Sequence, residues 1–560
     1  MIEPTPRQAE IRNYKELDLV VVAPAGCGKT EALALRVQGL LDRGAAPAPT
    51  RILVTTFSNR ARDNIRTRLR AYLSPNAIHD HVTVANFHGL SARIFRAHAA
   101  VIGLDPLMEI PESDWVRAQC QQLGLDFPSQ GAVEDALRIA KQKPSDDAAV
   151  EQELIRSGIT AALLIERQRL SDNRLTYDDL PRLAELILQN PAVAQLYQNH
   201  FAAVIVDEFQ DLTPQQFRIV NSFGYQKTTY AGDLAQGIYG FAGADPAFVD
   251  AQIRAECRIT IEFAESHRSS PAVLQVVNSL ATLTGGQTLT CADPTSWPSG
   301  GLAGGLAFGS VAGEAKFTVD FARYVLERAP NQRIGIVART GGRRRFVDEQ
   351  MEASCLEFHR WDDPVLDTDT AKALRATLSR LDVTACSAAD DPLTYLRERA
   401  HFDTLQDPSS RASLGEALSW CLDLLREKCR PADIRQRIRV GDEHTLLSVP
   451  GVHLLTGHVG KGQQFDWVIV VGAEEGCIPD FRVSTDAELT EEARILSVMI
   501  SRARHGVVVC YSRNVPAWSG RVFGKSATRF WPTLAAGGLA DGVGINAWLD
   551  EADWPAIADR

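Results

Sequence analysis

No stretch of this 560-residue chain approaches the roughly 20 consecutive apolar residues that a membrane-spanning helix needs. The amino terminus, MIEPTPRQAEIRN, also lacks the basic-then-apolar order of a secretory leader, so a cytoplasmic setting is expected. Paired cysteines are missing as well. The ten cysteines never fall as CxxC, and Cys421 and Cys429 are the closest two, which excludes the usual zinc and iron–sulfur spacings and predicts reduced, mostly buried thiols. There is no excess of positive charge. With 59 Lys and Arg against 70 Asp and Glu the net charge is -11, so any nucleic-acid binding has to come from a local basic or aromatic groove.

What is present is an ordinary globular composition, 45% hydrophobic and 23% charged, in a chain too long for one core, so several domains are expected. Residues 201–216, FAAVIVDEFQDLTPQQ, carry the strongest single signal. A short β-branched run ends in Asp207 and Glu208, at the carboxyl end of a buried strand where open α/β sheets place ligands. Two acids there can divide the work of nucleotide hydrolysis, one holding Mg²⁺ and the other polarising water. Upstream, DLVVVA runs into PAGCGKT and then the helical EALALRVQGLL, the strand, glycine loop and helix order of a phosphate loop. The loop residues Ala25, Gly26, Cys27 and Gly28 offer backbone N–H groups to phosphate, Lys29 can neutralise the β/γ charge, and Thr30 can ligate Mg²⁺. Ala23 and Pro24 depart from the general pattern.

Further strands end in chemistry-bearing residues. RILVTTF places Phe57 beside a helix with arginines at 60, 62, 66, 68 and 70, which suits phosphate tracking with a base-stacking ring; a solvated face is the alternative. VTVANF leads to His88. TTYAGD is followed by Gln236, and Tyr239 and Phe241 alternate with glycines that leave their rings exposed. Arg268 follows the strand ITIEF. Residues 281–310, rich in Gly, Ser, Thr and Pro, read as a linker. A second α/β region contains a helix over 314–328, strands at 333–338 and 452–456, the turn TGHVGKGQQFD, the apolar WVIVV, and a helix over 490–503 with Arg502 and Arg504 at its end. No chemistry is evident in residues 530–560.

The ordered set APAGCGKT, TTFSNRA, NFHGL, DEFQD, GDLAQGIYGFAGA, HRSS, TGHVGKGQQFD and SRAR resembles the UvrD/Rep-type superfamily 1 DNA helicases. The resemblance spans Gln8 to Arg504. It implies an α/β protein of two RecA-like P-loop motor domains with parallel sheets, each with a mostly helical insertion, that hydrolyses ATP with Mg²⁺ and steps 3′ to 5′ on single-stranded DNA. The expected divisions are residues 1–99 and 196–280 for the first motor domain, with 100–195 inserted. The second comprises 281–364 and 446–530, with 365–445 inserted and 531–560 as a tail. By resemblance, Gln8 reads adenine, Lys29 and Thr30 hold phosphate and metal, Asp207 joins the Mg²⁺ shell, and Glu208 is the general base. Gln236 senses the γ-phosphate, while Arg268 and Arg502 are arginine fingers. Phe57, Asn59, His88, Tyr239 and Phe241 contact the DNA strand, and Thr456, His458 and Lys461 couple the second domain to it. His267 stands where the family has a stacking Tyr, Gln464 where it has Glu, and Ala242 where it has Arg. Both insertions are short. That favours a translocase working with a partner nuclease, in DNA repair or in a phage-defence system such as Gabija. A nucleic-acid-sensing scaffold with little unwinding is the alternative from another class, and an RNA helicase is less favoured because nothing here reads a 2′-hydroxyl.

Overall fold

The computed structural model describes residues 3–57, 59–109, 115–361, 363, 365–366, 368–389, 391–402, 408–426, 429–440, 449–459, 461–517 and 520–560. The β-branched runs form two sheets. Strands β1 to β6 are Leu19–Val22, Arg51–Thr56, Val82–Asn86, Phe201–Asp207, Thr228–Gly232 and Thr260–Glu262. They pair in parallel in the order β3-β2-β4-β5-β1-β6. Register decides where the chemistry sits. Val22 is level with Gly232, and Asp207 with Ala231, so the phosphate loop, the acid pair and the turn carrying Gln236 leave the sheet at one edge.

Strands β7 to β12 are Leu302–Phe308, Arg333–Ala338, Phe358–Arg360, Gly451–Thr456, Phe465–Val471 and Ala503–Ser512. They form a second parallel sheet in the order β9-β10-β8-β11-β12-β7. The expected architecture, an α/β protein with two parallel sheets, is therefore present. The stretch read as a linker is corrected in part: LAGGLAF is the edge strand β7. Its glycines hid it from β-propensity, and packing requires them, since a Cβ at Gly304 would lie 2.5 Å from Ile545 and one at Gly305 2.9 Å from Leu539. Those partners belong to the carboxyl-terminal segment. Its helices Trp531–Ala536, Gly542–Glu551 and Trp554–Ala558 pack Ile545, Leu549, Trp554 and Ile557 into the core of the second sheet.

Helices Trp115–Gln122, Phe127–Ala140, Asp147–Ser157 and Thr160–Ser171 enclose their own small core. A buried ionic cluster joins them to the layer that covers the first sheet. Lys141 lies 2.8 Å from Glu166 and 2.9 Å from Asp179, and Arg169 and Arg182 each lie 2.7 Å from Asp147. The three carboxylates could geometrically surround a cation, yet ammonium and guanidinium groups already compensate them. Gln215, on the helix Pro214–Gly224 that follows the acid pair, donates to the Lys141 carbonyl at 3.1 Å. Between β9 and β10, helices Thr368–Ser379, Val383–Ala388, Pro392–Arg399, Pro408–Arg426 and Pro431–Arg437 form a separate cluster around Leu374, Leu396, Leu418 and Cys421.

Candidate active site

The phosphate loop is built by two left-handed glycines. Gly26 has φ 84° and Gly28 φ 82°, and Gly28 precedes the helix Lys29–Asp42 without any side-chain cap, leaving its first-turn N–H groups for an anion. A Cβ at Gly26 would sit 2.4 Å from the Arg268 Cβ. That closeness is fixed by backbone pairing, because the His267 N–H donates to the Gly26 carbonyl at 3.0 Å. Cys27 is buried, and burial pushes its thiol up to about 12, so it stays protonated. Gln8 closes a capping box with Thr5 and turns its amide toward the Gly28 carbonyl at 3.4 Å, bracing the loop from behind.

The apolar strand β4 delivers Asp207 to the sheet edge, and the chain then turns sharply. Glu208 has φ 60°, a left-handed conformation that a non-glycine residue holds only where its surroundings impose it. Lys29 lies 3.3 Å from Asp207 and pairs with Glu208. Burial would raise Glu208, but the charges of Lys29 and Lys461 and hydrogen bonds from Lys29 and Gln210 hold it at about 2, ionised throughout the working range. Burial, reinforced by the Glu208 charge, pushes Asp207 up against the pull of Lys29. A polar chain then runs outward: Gln210 donates to Glu208 at 2.6 Å and accepts from the Asp233 N–H at 3.0 Å, and Gln236 donates to Asp233 at 2.9 Å. The buried Asp207 Oδ1 faces the Lys29 ammonium at 3.3 Å and meets no other donor among the described residues. A hard oxygen of that kind beside a threonine hydroxyl and a phosphate cradle fits Mg²⁺.

A cavity of about 530 Å³ brings the two sheets together, lined by residues 23–26, 28–31, Asp207, Glu208, Asp211, Gln236, His267 and Arg268 on one side and residues 461–464 on the other. Gln464 is thus at the cavity, as is the departure His267. Lys461 reaches across to Asp211, and Arg268 donates to the Ser501 carbonyl at 3.4 Å. Arg502 stands apart. The helix expected to carry it ends earlier, at Ile500, and its buried guanidinium donates to the carbonyls of Thr456 at 3.3 Å, Gly457 at 2.6 Å and Val459 at 2.9 Å. Burial lowers it to about 10.

The ring residues also group. Phe57 stacks on Tyr239 with centroids 4.9 Å apart and planes at 19°. Phe241, 63% exposed, lies 5.9 Å from Tyr239 and 5.1 Å edge-on from His458. Burial, with Arg339 and Arg502 nearby, holds His458 down at about 4, so the ring is neutral. Thr456 ends β10, two residues before His458. His88 lies elsewhere, 4.6 Å from Tyr177, a half-exposed ring that no sequence motif marks. Asn59 opens the helix Asn59–Arg70, but its side chain lies outside the described residues. The basic helix is partly committed to ion pairs: Arg62 lies 3.0 Å from Asp63, and Arg68, bridged to Glu31 at 3.0 Å, borders the same cavity. Asp211, Gln210 and Asp233 were the other omissions, although two of them lie inside DEFQD.

Comparison with known proteins agrees with this geometry. The UvrD/REP helicase N-terminal domain matches residues 5–254, and the UvrD-like helicase C-terminal domain matches residues 434–514. The chain is 25% identical over 657 residues to the ATP-dependent DNA helicase UvrD1 of Mycobacterium leprae (strain TN), covering 92% of this chain and 83% of that protein. It is 26% identical over 553 residues to UvrD2 of Mycobacterium tuberculosis (strain ATCC 25618 / H37Rv), covering 86% and 75%. With PcrA of Leuconostoc citreum the identity is 24% over 612 residues, covering 89% and 80%.

Proposed function

The chain belongs to the UvrD/REP helicase family, and on that footing we propose that it is a DNA-dependent ATPase moving 3′ to 5′ on single-stranded DNA. One observation carries this: the phosphate loop, the acid pair, Gln236 and Arg268 from the first sheet share a single cavity with residues 461–464 from the second. A triphosphate lodged there would touch both halves, so each hydrolysis event could change their separation. Lys29 and the loop N–H groups hold the phosphates, Thr30 and Asp207 hold Mg²⁺, and Glu208 takes the proton from the attacking water. Mg²⁺ bound there would neutralise the charge of the phosphate oxygens. Gln236 contacts the γ-phosphate and Arg268 stabilises its transition-state charge. His267 and Gln464 border the nucleoside end, and Gln8 acts on it through the loop it braces. Arg502 joins as a finger only after releasing the carbonyls of residues 456–459, which makes that release part of the cycle.

The strand runs over Phe57, Tyr239, Phe241 and His458, where stacking is worth about 1 to 3 kcal/mol per base. The compact insertion between β9 and β10 supports action with a partner nuclease, in DNA repair or phage defence. A sensing scaffold is the second reading, favoured by the bonding of Arg502 to the carbonyls of residues 456–459, which keeps it out of the cavity lining. Steady-state ATP turnover with and without single-stranded DNA separates the two. The motor shows strong stimulation and unwinds duplexes with a 3′ tail before those with a 5′ tail; a scaffold shows neither.

A further inference from the structure

Beyond β12 the chain forms a two-stranded antiparallel ribbon, Asn514–Pro516 against Val522–Gly524, on the side of the second sheet. Its pairing places Val515 opposite Phe523, and the ladder continues through the Lys525 N–H, which donates to the Arg513 carbonyl at 2.8 Å. Because alternate residues of a strand share a face, Arg521, Phe523 and Lys525 lie on one side, with Arg513 and Val515 across from them. Phe523 is 44% exposed. The Lys525 ammonium bends to the Glu475 carbonyl at 3.1 Å, beside Gly476, and a Cβ on that glycine would lie 2.8 Å from it and 3.8 Å from the Phe481 Cβ. Phe481 is therefore a neighbour of this face, and at 78% exposure it is among the most exposed large apolar side chains described. Arg521 lies over the Phe523 ring at 5.1 Å and Arg482 over Phe481 at 5.5 Å.

Charge makes the patch unusual in a chain of net charge -11. Arg482 and Arg529 are matched by Asp480 and Glu475, but Arg513, Arg521 and Lys525 have no carboxylate within ion-pair distance among the described residues. Phe481 and Phe523, each exposed to solvent with one arginine over its ring, can stack bases while Arg513, Arg521 and Lys525 neutralise the backbone between them. The geometry points to a second contact for single-stranded DNA, made by Phe481 and the ribbon and separate from the ring cluster at the nucleotide cavity. It rests on the strand-translocating function proposed above and extends the strand's track across the second motor half.

The test uses the full chain and oligodeoxythymidylates of about 10 and about 30 nucleotides, which one and both contacts can hold. In Phe481→Ala/Phe523→Ala, anisotropy titration is expected to show affinity for the long strand weaker by about tenfold or more. Affinity for the short strand and ATP turnover at saturating DNA stay unchanged. Arg521→Glu/Lys525→Glu should weaken the long strand likewise and lower the slope of log affinity against log salt by about 1.4. Phe481, Phe523 and Arg521 are exposed and Lys525 is half-buried against the Glu475 carbonyl, so unchanged thermal melting is expected for Phe481→Ala/Phe523→Ala and a small loss at most for Arg521→Glu/Lys525→Glu. If the unaltered chain is stimulated by single strands but both variants bind the long strand normally with the original salt slope, this inference is overturned and the motor function stands. If the unaltered chain binds no strand at all, both are overturned.

Discussion

Lys461, from the loop after β10, places its ammonium 2.7 Å from both carboxylate oxygens of Asp211 and 2.6 Å from the Gln236 carbonyl, on the first motor half. The contact crosses the nucleotide cavity and is nearly closed to solvent, with Lys461 9% and Asp211 2% exposed. Lys461 also lies 4.9 Å from the Tyr239 ring, so one side chain touches the acid motif, the Gln236 turn and the stacked rings together.

Lys461→Ala leaves Asp211 buried without its counter-charge, a loss that costs about 3 to 5 kcal/mol when one partner of a buried pair is removed. The expected outcome is lower thermal stability and loss of DNA stimulation of ATP turnover. Adding Asp211→Asn should restore part of the stability by removing the stranded charge. A double variant no more stable than the single one would show that the ion pair is not the cause.

Acid should weaken this tie before it touches Glu208, the proposed general base. Burial pushes Asp211 up to about 6, with Glu208 adding to the effect and Lys461 and Lys29 opposing it, while Glu208 stays at about 2. As pH falls through about 6, Asp211 takes a proton and Lys461 loses its partner, whereas Glu208 remains ionised. The acid limb of DNA-stimulated turnover is expected near pH 6 and should vanish in Asp211→Asn; a limb unmoved in that variant assigns it to another group. Because the folded value is raised, this group's contribution to stability is present in acid and lost as pH rises through about 6.

Glu208→Gln preserves the shape and the donor contact from Gln210 but removes the proton acceptor. Turnover should fall by about 10²- to 10⁴-fold, while nucleotide binding, followed by a fluorescent ATP analogue, is retained because Lys29 is released from one carboxylate toward the phosphates. Turnover left intact would remove Glu208 from the base role.

The carboxyl-terminal segment should prove structural. Trp554 stacks on Trp467 at 5.9 Å, meets Tyr324 edge-on at 5.7 Å, and donates its indole N–H to the Leu549 carbonyl at 3.0 Å. Trp554→Ala is expected to cost about 3 to 5 kcal/mol in denaturant unfolding, with ATP turnover per folded molecule unchanged. A change below about 1 kcal/mol would mean that this segment adds little to the core.

The strands β1, β4 and β11 could be read directly, because a strand buried on both faces must be a continuous apolar run. The phosphate loop and acid pair were legible for a similar reason: their chemistry is set by neighbours a few residues away, and backbone N–H groups, Lys29 and Asp207 need only the end of a strand to be positioned. β7 was not, since Gly304 and Gly305 answer to side chains far along the chain rather than to strand propensity. The direction of Arg502, the stance of Gln8 behind the loop and the Lys461 to Asp211 tie follow the same rule. Each depends on how one sheet or loop packs against another, and no local pattern records which carbonyl or carboxylate a long side chain meets once distant elements close on it.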